Sequence, residues 1–297
     1  MRGVPVEMGS STVFYFWEPP GAMPAYLRLC RSTWDSSLPG DEKTHIDLAN
    51  LSDHIGPEVY DLDFLGRLTP MAQKDAVEVA VLEKHGGVFM DVDTIAVADI
   101  SPILGRLSHS EMLLFGRHLA FVAARPGARL IGLWLEAIQQ RLELASKGAL
   151  EPRELPWDFV GNAPFAHVLD TMTGVGSPEP PTESGTKKRN SIAERVRRRV
   201  LLASRHRREL TTLSPRRYGF IAEATIFNRA RSDPEERYRR FWFESDVATE
   251  SVFSSKTTVI GLHHSWTPNW YTGLSTDEVL DHDCLLSRVL RRVISGR

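Results

Sequence analysis

Two aspartates one residue apart, Asp91-Val92-Asp93, follow an apolar run, Val88-Phe89-Met90, and a glycine pair, Gly86-Gly87. Residues two apart in an extended strand share a side, so the sequence predicts both carboxylates on one face. Two hard oxygen donors placed this way suit Mg²⁺ or Mn²⁺, ions that a protein shares with phosphate oxygens. A cation bridging Asp93 and a diphosphate would offset the charge that develops as the diphosphate leaves. Upstream, Asp75 and Glu78 stand three apart, the spacing that brings side chains to one face of a helix. Downstream, His263-His264-Ser265-Trp266 offers imidazole nitrogens, a hydroxyl and an indole ring. Neighbouring side chains on an extended chain diverge, so one histidine is expected to reach the ion; His264 is the preferred ligand and His263 its alternative.

The elements that must position these groups alternate between strand and helix. Thr12–Trp17 is β-branched and aromatic and is closed by Glu18-Pro-Pro-Gly21, the pattern of a buried strand and a turn. Leu27, Cys30 and Trp34 follow at helical spacing, and residues 45–48 form a second short strand. Thr69-Pro70 opens the clearest helix, over 70–85, with proline where its missing N–H costs little. Gly86-Gly87 ends it, and the run 88–95 is expected as a single strand. Later come a hairpin at 113–122, a helix over 130–144, a loop at 157–164 entering a helix that Asn162 can cap, a strand at 257–262 and a closing helix over 279–294. This order implies an α/β fold with a mostly parallel central sheet and ligands at the carboxyl ends of its strands, read as one domain over residues 1–297.

At 297 residues, 42% hydrophobic and 25% charged, the chain can bury a substantial core and is neither disordered nor fibrous. Cys30 and Cys284 are too few for a disulfide framework and lack metal-ligand spacing, so both are expected to be reduced. No apolar signal segment opens the chain and no stretch is long enough for a membrane span, which makes a cytoplasmic location the expectation. The net charge of −2 conceals an asymmetry. Residues 1–100 carry 7 Lys/Arg against 16 Asp/Glu, and residues 187–240 carry 17 against 6. Within the latter, a basic helix over 187–210 follows a Gly/Pro/Ser/Thr-rich stretch, 174–191, expected to be a mobile loop. Lys187–Arg208 would suit a peripheral membrane surface or an anionic acceptor; nucleic acid is excluded as a partner because no recognition motif accompanies the charge.

An isolated Asp-x-Asp says little, but here helix, glycine pair, apolar strand and acid pair occur in order. Gly86-Gly87-Val88-Phe89-Met90-Asp91-Val92-Asp93 resembles the core of the DXD sugar-transferase family, which includes capsular polysaccharide synthesis proteins and, more remotely, the glucosylating clostridial toxins. The resemblance implies a GT-A-like, Rossmann-related fold, Mn²⁺ or Mg²⁺ as cofactor, and a hexosyl- or N-acetylhexosaminyltransferase working from a nucleotide-sugar donor. A UDP-sugar is favoured as donor, transfer is with retention, and the acceptor is a glycan, a lipid-linked sugar or another small molecule. It further implies that Phe16 or Trp17 packs on the base and that Asp75 contacts the donor sugar. Ser265 and Trp266 would cover the diphosphate beside the metal ligands Asp91, Asp93 and one of His263 and His264, with Gly87 and Asn162 lining the donor site. Similarity is strongest over residues 69–95.

One position departs from the family pattern, which usually has Ser-Asp-x-x-Arg in the helix, whereas this chain has Lys74-Asp75-Ala76-Val77-Glu78. An acid in place of that Arg suggests a donor or acceptor carrying an amino group, or a chain that binds a nucleotide sugar or a partner without turning over. The rival enzyme is a phosphatase of the haloacid dehalogenase type, whose nucleophile motif also ends a strand in Asp-x-Asp-x-Thr. Here Thr94 comes one place early and the second acidic motif of that class is missing downstream.

Overall fold

The computed structural model describes residues 12–38, 42–115, 118–148, 151–173, 209–213, 220–221, 233–244, 246–253 and 257–296. The chain divides into two compact units, each assembled from separated segments. The first comprises Met1–Glu18, Glu42–Phe89 and Leu104–Thr212, the second Pro19–Asp41, Met90–Ile103 and Leu213–Arg297.

The first unit is built on a six-stranded sheet. In chain order, β1 is Val13–Phe16, followed by helices α1 (Ala25–Ser32) and α2 (Trp34–Ser37) of the second unit, and then by β2 (Lys43–Ile46). Short helices α3 (Leu51–Ile55) and α4 (Leu62–Gly66) lead to α5 (Pro70–His85) and β3 (Gly87–Met90). After β4 (Thr94–Ala96) and α6 (Ser101–Leu104) come β5 (Met112–Phe115), β6 (His118–Ala124), α7 (Arg129–Lys147), α8 (Asn162–Thr173) and β7 (Leu210–Leu213). The sheet order is β2-β1-β3-β6-β5-β7. β1 runs parallel to both β2 and β3, and β5–β6 is the expected antiparallel hairpin. The α/β class and the mostly parallel sheet anticipated from the sequence are those observed.

α5 carries signals at both of its ends. Its boundaries match the sequence expectation because both end signals operate: the Thr69 side chain accepts the Ala72 N–H, Pro70 opens the first turn, and Gly86 caps the other end. Ten of its residues are buried, around its whole circumference, as expected for a helix inside a core. It packs on α7, α3, β1 and β6. Trp134, Ile138 and Leu142 turn inward from α7, and Trp134 meets Phe165 of α8 at 4.6 Å.

The glycine pair does more than end the helix. Gly86 and Gly87 both have positive φ, 63° and 92°. A Cβ on Gly86 would stand 2.5 Å from the Pro126 ring, and one on Gly87 would stand 2.5 Å from the Thr12 carbonyl oxygen. That carbonyl also accepts the Val88 N–H at 3.0 Å, so close approach of β3 to β1 requires the missing side chain.

The second unit holds a three-stranded sheet, β4-β9-β8, with β8 (Phe220–Ile221) parallel and β4 antiparallel to β9 (Val259–Gly261). Its core is aromatic: Tyr26, Trp34, Tyr238, Trp242 and Tyr271 are all buried. Trp34 donates its indole N–H to the Thr94 carbonyl at 2.7 Å, and Thr33 Oγ1 accepts the Ala96 N–H at 2.9 Å, which fixes α1 and α2 to β4. Cys30 and Cys284 are free and buried.

Two expectations are corrected. The run 88–95 is two strands, β3 and β4, in different sheets, with Asp91–Asp93 as the turn between them, closed by the Thr94 N–H on the Asp91 carbonyl at 3.0 Å. The shared strand face proposed for Asp91 and Asp93 therefore gives way to a turn. The closing helix is likewise two, Thr276–Asp281 and Leu285–Ile294. Ser275 and Glu278 form a reciprocal capping box that starts the first. His282 then turns extended, and its ring Nδ1 accepts the Cys284 N–H at 3.2 Å, so the chain restarts instead of continuing. The loop expected at 174–191 lies outside the described residues, as does the basic helix 187–210 apart from its last two positions, where Leu210 begins β7. Among the described residues no helix is long and apolar enough to cross a membrane.

Replacing Gly87 by Ala adds a left-handed backbone penalty to a backbone clash and is expected to cost about 2–4 kcal/mol. Urea unfolding of the two proteins measures it; a loss no larger than that of a surface Gly→Ala change would contradict the close approach.

Candidate active site

The candidate residues fall into one group in each unit. In the first unit, Asp75 lies one turn into α5, buried, with Lys74 Nζ 2.8 Å from its Oδ1. The same ammonium is 3.0 Å from Glu78 Oε2, and the Glu78 side chain is fully buried. Gly161 of the 157–161 turn sits against the other Asp75 oxygen; a Cβ there would overlap Oδ2 and stand 2.8 Å from Cγ. The preceding Asp158 is buried, and Asn162 is half-buried as the first residue of α8, not the residue before it. The Phe165 N–H donates to the Gly161 carbonyl at 3.3 Å, so Gly161 occupies the helix start. Phe16 is part of the hydrophobic core, whereas Trp17, just past the end of β1, is half-buried and its carbonyl bonds His45 Nε2 at 3.1 Å. Gly87 meets the Thr12 backbone, as described above.

In the second unit Asp93 is the organiser. Its main-chain carbonyl accepts the Leu262 N–H at 2.9 Å, and its Oδ2 accepts the His264 N–H at 2.8 Å. The aspartate turn is thereby tied to the segment after β9, where His264–Trp266 forms one turn of 3-10 helix. Asp91 and Asp93 are both half-buried.

The two histidines have separate partners. His263 stacks on Trp266, with ring centroids 3.8 Å apart and planes at 8°, and shares a 3.1 Å hydrogen bond with the exposed Ser265. Burial depresses its pKa to about 4. Arg239 Nε donates to the Trp266 carbonyl at 2.9 Å, which holds this turn in place. Trp270 lies on a short helix, Asn269–Thr272, and is 49% exposed.

His264 Nδ1 lies 2.6 Å from the Tyr26 hydroxyl. Thr267 donates its hydroxyl proton to the His263 carbonyl at 3.2 Å, and Tyr26 donates to Thr267 Oγ1 at 3.3 Å. The 2.6 Å contact joins the His264 ring to a phenol that is itself hydrogen-bonded to Thr267, which orients the imidazole. Burial lowers the His264 pKa, which favours the neutral ring. Burial first, and then the Asp93 charge, raise the pKa of the Tyr26 phenol and the Cys30 thiol well above their usual values, so both keep their protons. Tyr26, Tyr238 and Thr267 give no sequence signal of their own; only the 3-10 turn that gathers them around the histidines does so.

Among the described residues no group of three or more His, Cys, Asp or Glu side chains forms a metal cage. A Mg²⁺ or Mn²⁺ ion held by one or two carboxylates and completed by diphosphate and water needs none. Two carboxylates are the hard oxygen donors such an ion takes, so the donor set of Asp91 and Asp93 fits it.

Residues 28–109 match the family model described as "Glycosyltransferase sugar-binding region containing DXD motif". The matched span takes in Asp75, Glu78, Gly87, Asp91 and Asp93, and the resemblance drawn from the glycine pair and the acid pair is borne out: the chain carries a glycosyltransferase-type sugar-binding region. Among solved structures, "PaToxG Glycosyltransferase" is similar over 63% of this chain and 86% of its own, with 14% sequence identity and a TM-score of 0.35. No curated protein matches the chain.

The depressed His263 pKa has a consequence for stability. The unfolded imidazole ionises near 6.5 and the folded one near 4, so between those values the unfolded chain binds more protons. The resulting stabilisation is complete above about pH 6.5 and is lost as the pH falls toward 4; partial exposure reduces it to about 1–2 kcal/mol. Urea unfolding at pH 7.5 and 4.5 should show the wild type losing that much more than His263→Phe, and equal losses would rule out a neutral, buried His263.

Proposed function

We propose that the chain is a metal-dependent glycosyltransferase that moves a hexosyl or N-acetylhexosaminyl group from a nucleotide-sugar donor, a UDP-sugar by preference. The acceptor is a glycan, a lipid-linked sugar or a natural-product scaffold, and the setting is the cytoplasm. The observation that carries the reading is the 2.8 Å bond from the His264 N–H to Asp93 Oδ2. It ties the acid pair to a segment bearing imidazole, hydroxyl and indole groups 171 residues away, within a chain whose residues 28–109 match a DXD sugar-binding region.

In this reading Asp91 and Asp93 hold Mg²⁺ or Mn²⁺, with His264 Nε2 as a further ligand and His263 as the alternative. When bound, the ion neutralises the departing nucleoside diphosphate. Trp17, with Phe16 behind it, stacks on the base. Asp75 accepts hydrogen bonds from donor-sugar hydroxyls and orients the ring for departure. Gly87 and Asn162 line the donor, Ser265 bonds to the diphosphate, and the Trp266 indole shields it from water. No protein nucleophile is assigned: the leaving phosphate takes the acceptor's proton, and the new bond forms on the face the phosphate leaves, with retention. Support for that course comes from the family resemblance.

Calorimetric titration with UDP-, GDP- and dTDP-sugars, with and without Mn²⁺, tests the proposal. Metal-dependent binding of one donor class is expected, reduced on the order of 10²-fold or more in Asp93→Ala, as for loss of a ligand that orients charge. Donor binding without turnover would instead support a non-catalytic nucleotide-sugar binder. Absence of binding by every donor, together with Mg²⁺-dependent release of phosphate from a phosphomonoester, would shift the assignment to the phosphatase chemistry of Asp91 and Asp93.

A further inference from the structure

Three charged groups near the start of α5 meet at one ammonium. Lys74 Nζ is 2.8 Å from Asp75 Oδ1 and 3.0 Å from Glu78 Oε2, and the three side chains are 15%, 9% and 0% exposed. Successive residues on a helix point about 100° apart, so an ammonium that meets both Asp75 and Glu78 must lie close along the helix surface. The i,i+4 bond to Glu78 holds it in that posture. Ammonium–carboxylate contacts this far out of water are short, directional and little screened.

The opposite side of Asp75 is constrained by shape. A Cβ on Gly161 would overlap Oδ2. Gly161 is not among the glycines with positive φ, so its backbone conformation is open to other residues, and the carboxylate is what excludes a side chain there. One oxygen of Asp75 is thus gripped by a cation and the other seated against backbone. A carboxylate's terminal torsion is otherwise broad and roughly two-fold.

We propose that Lys74 and Gly161 are positioning residues that clamp the Asp75 carboxylate in one orientation for the donor sugar, with Glu78 acting through Lys74 as the anchor of the ammonium. The inference rests on the reading of Asp75 as the sugar contact. It gives the acid at position 78 a role in holding a cation that reaches from position 74.

The test compares UDP binding, measured by calorimetry with Mn²⁺, with hydrolysis of UDP-glucose and UDP-N-acetylglucosamine, because UDP lacks the sugar that Asp75 would touch. Lys74→Met and Gly161→Ala should bind UDP within about twofold of wild type, as independent sites do, while kcat for hydrolysis falls on the order of 10²-fold, the effect of a misplacement of about 1 Å. Lys74→Arg should recover about tenfold of that loss, short of full activity because its planar fork differs from an ammonium. Lys74→Met alone takes the ammonium away from two buried carboxylates and can lower stability, so the deciding variant is Lys74→Met/Glu78→Met, which replaces the pair with apolar side chains of similar size. It should unfold closer to the wild-type midpoint than Lys74→Met does, since only Asp75 then loses the ammonium, and remain slow. A double variant that hydrolyses donor at the wild-type rate while Asp75→Asn is inactive overturns the clamp alone. Asp75→Asn at the wild-type rate overturns the sugar-contact reading and the clamp with it.

Discussion

The reversal at Gly86-Gly87 is the constraint on which the arrangement depends. A helix followed directly by a buried strand has no loop to absorb misfit, so the two residues at the junction must take backbone conformations that side chains forbid. Both have positive φ, and the space beyond each is filled by Pro126 on one side and by the Thr12 backbone on the other. The consequence is rigidity. α5, buried all round, carries Asp75 and Glu78, and its end is joined without slack to β3, whose next residue is Asp91. The Val88–Thr12 bond then registers β3 against β1, so the glycine pair sets the direction in which α5 meets the sheet.

In the second unit Asp93 plays the corresponding part with polar groups. Its carbonyl and its carboxylate each accept a peptide N–H from the chain after β9, from Leu262 and His264. Beneath them lies a run of hydroxyls, Tyr26, Thr267 and Tyr238, set among Trp34, Trp242 and Tyr271. Buried hydroxyls destabilise a core unless bonded, and these bond one another and the His263 backbone. The core under the histidines is thereby polar in specific directions and apolar elsewhere, which lets it orient the imidazoles.

Much of this was legible in the residues. Thr69-Pro70 and Gly86 marked the two ends of α5, the hairpin at β5–β6 followed from its apolar runs, and Trp134, Ile138 and Leu142 marked the buried face of α7. The breaks were not legible, because the hydrophobic pattern runs across them. Val88 to Ile95 keeps a strand's composition through Asp91–Asp93, although its two halves join different sheets. Val279 to Ile294 keeps a helix's spacing through His282–Cys284, although no Gly or Pro interrupts it. What divides these segments is tertiary: β4 pairs with β9, and the capped helix 276–281 has already satisfied its own ends. In the site, the Lys74–Glu78 spacing was available to sequence reasoning as an i,i+4 pair. The meeting of Asp75 with Gly161, and of Tyr26 with His264, joins positions 86 and 238 residues apart, which no local pattern encodes.

The way Asp93 is held also explains why the identity of residue 264 carries information. The bond to Asp93 comes from a main-chain N–H, which any residue except proline supplies once the 264–266 turn is formed. That turn is secured independently, by the Trp266 N–H on the His263 carbonyl, the Thr267 N–H on the His264 carbonyl and Arg239 on Trp266. Imidazole is therefore not needed to fix Asp93. Its distinctive contact is with Tyr26, a buried phenol that keeps its proton and lies 2.6 Å from Nδ1. A neutral ring held at one nitrogen is oriented through that bond, as a second partner orients a histidine that ligates a metal or accepts a proton. Backbone geometry holds the carboxylate and side-chain chemistry prepares the imidazole, so position 264 serves the site twice by two separate means.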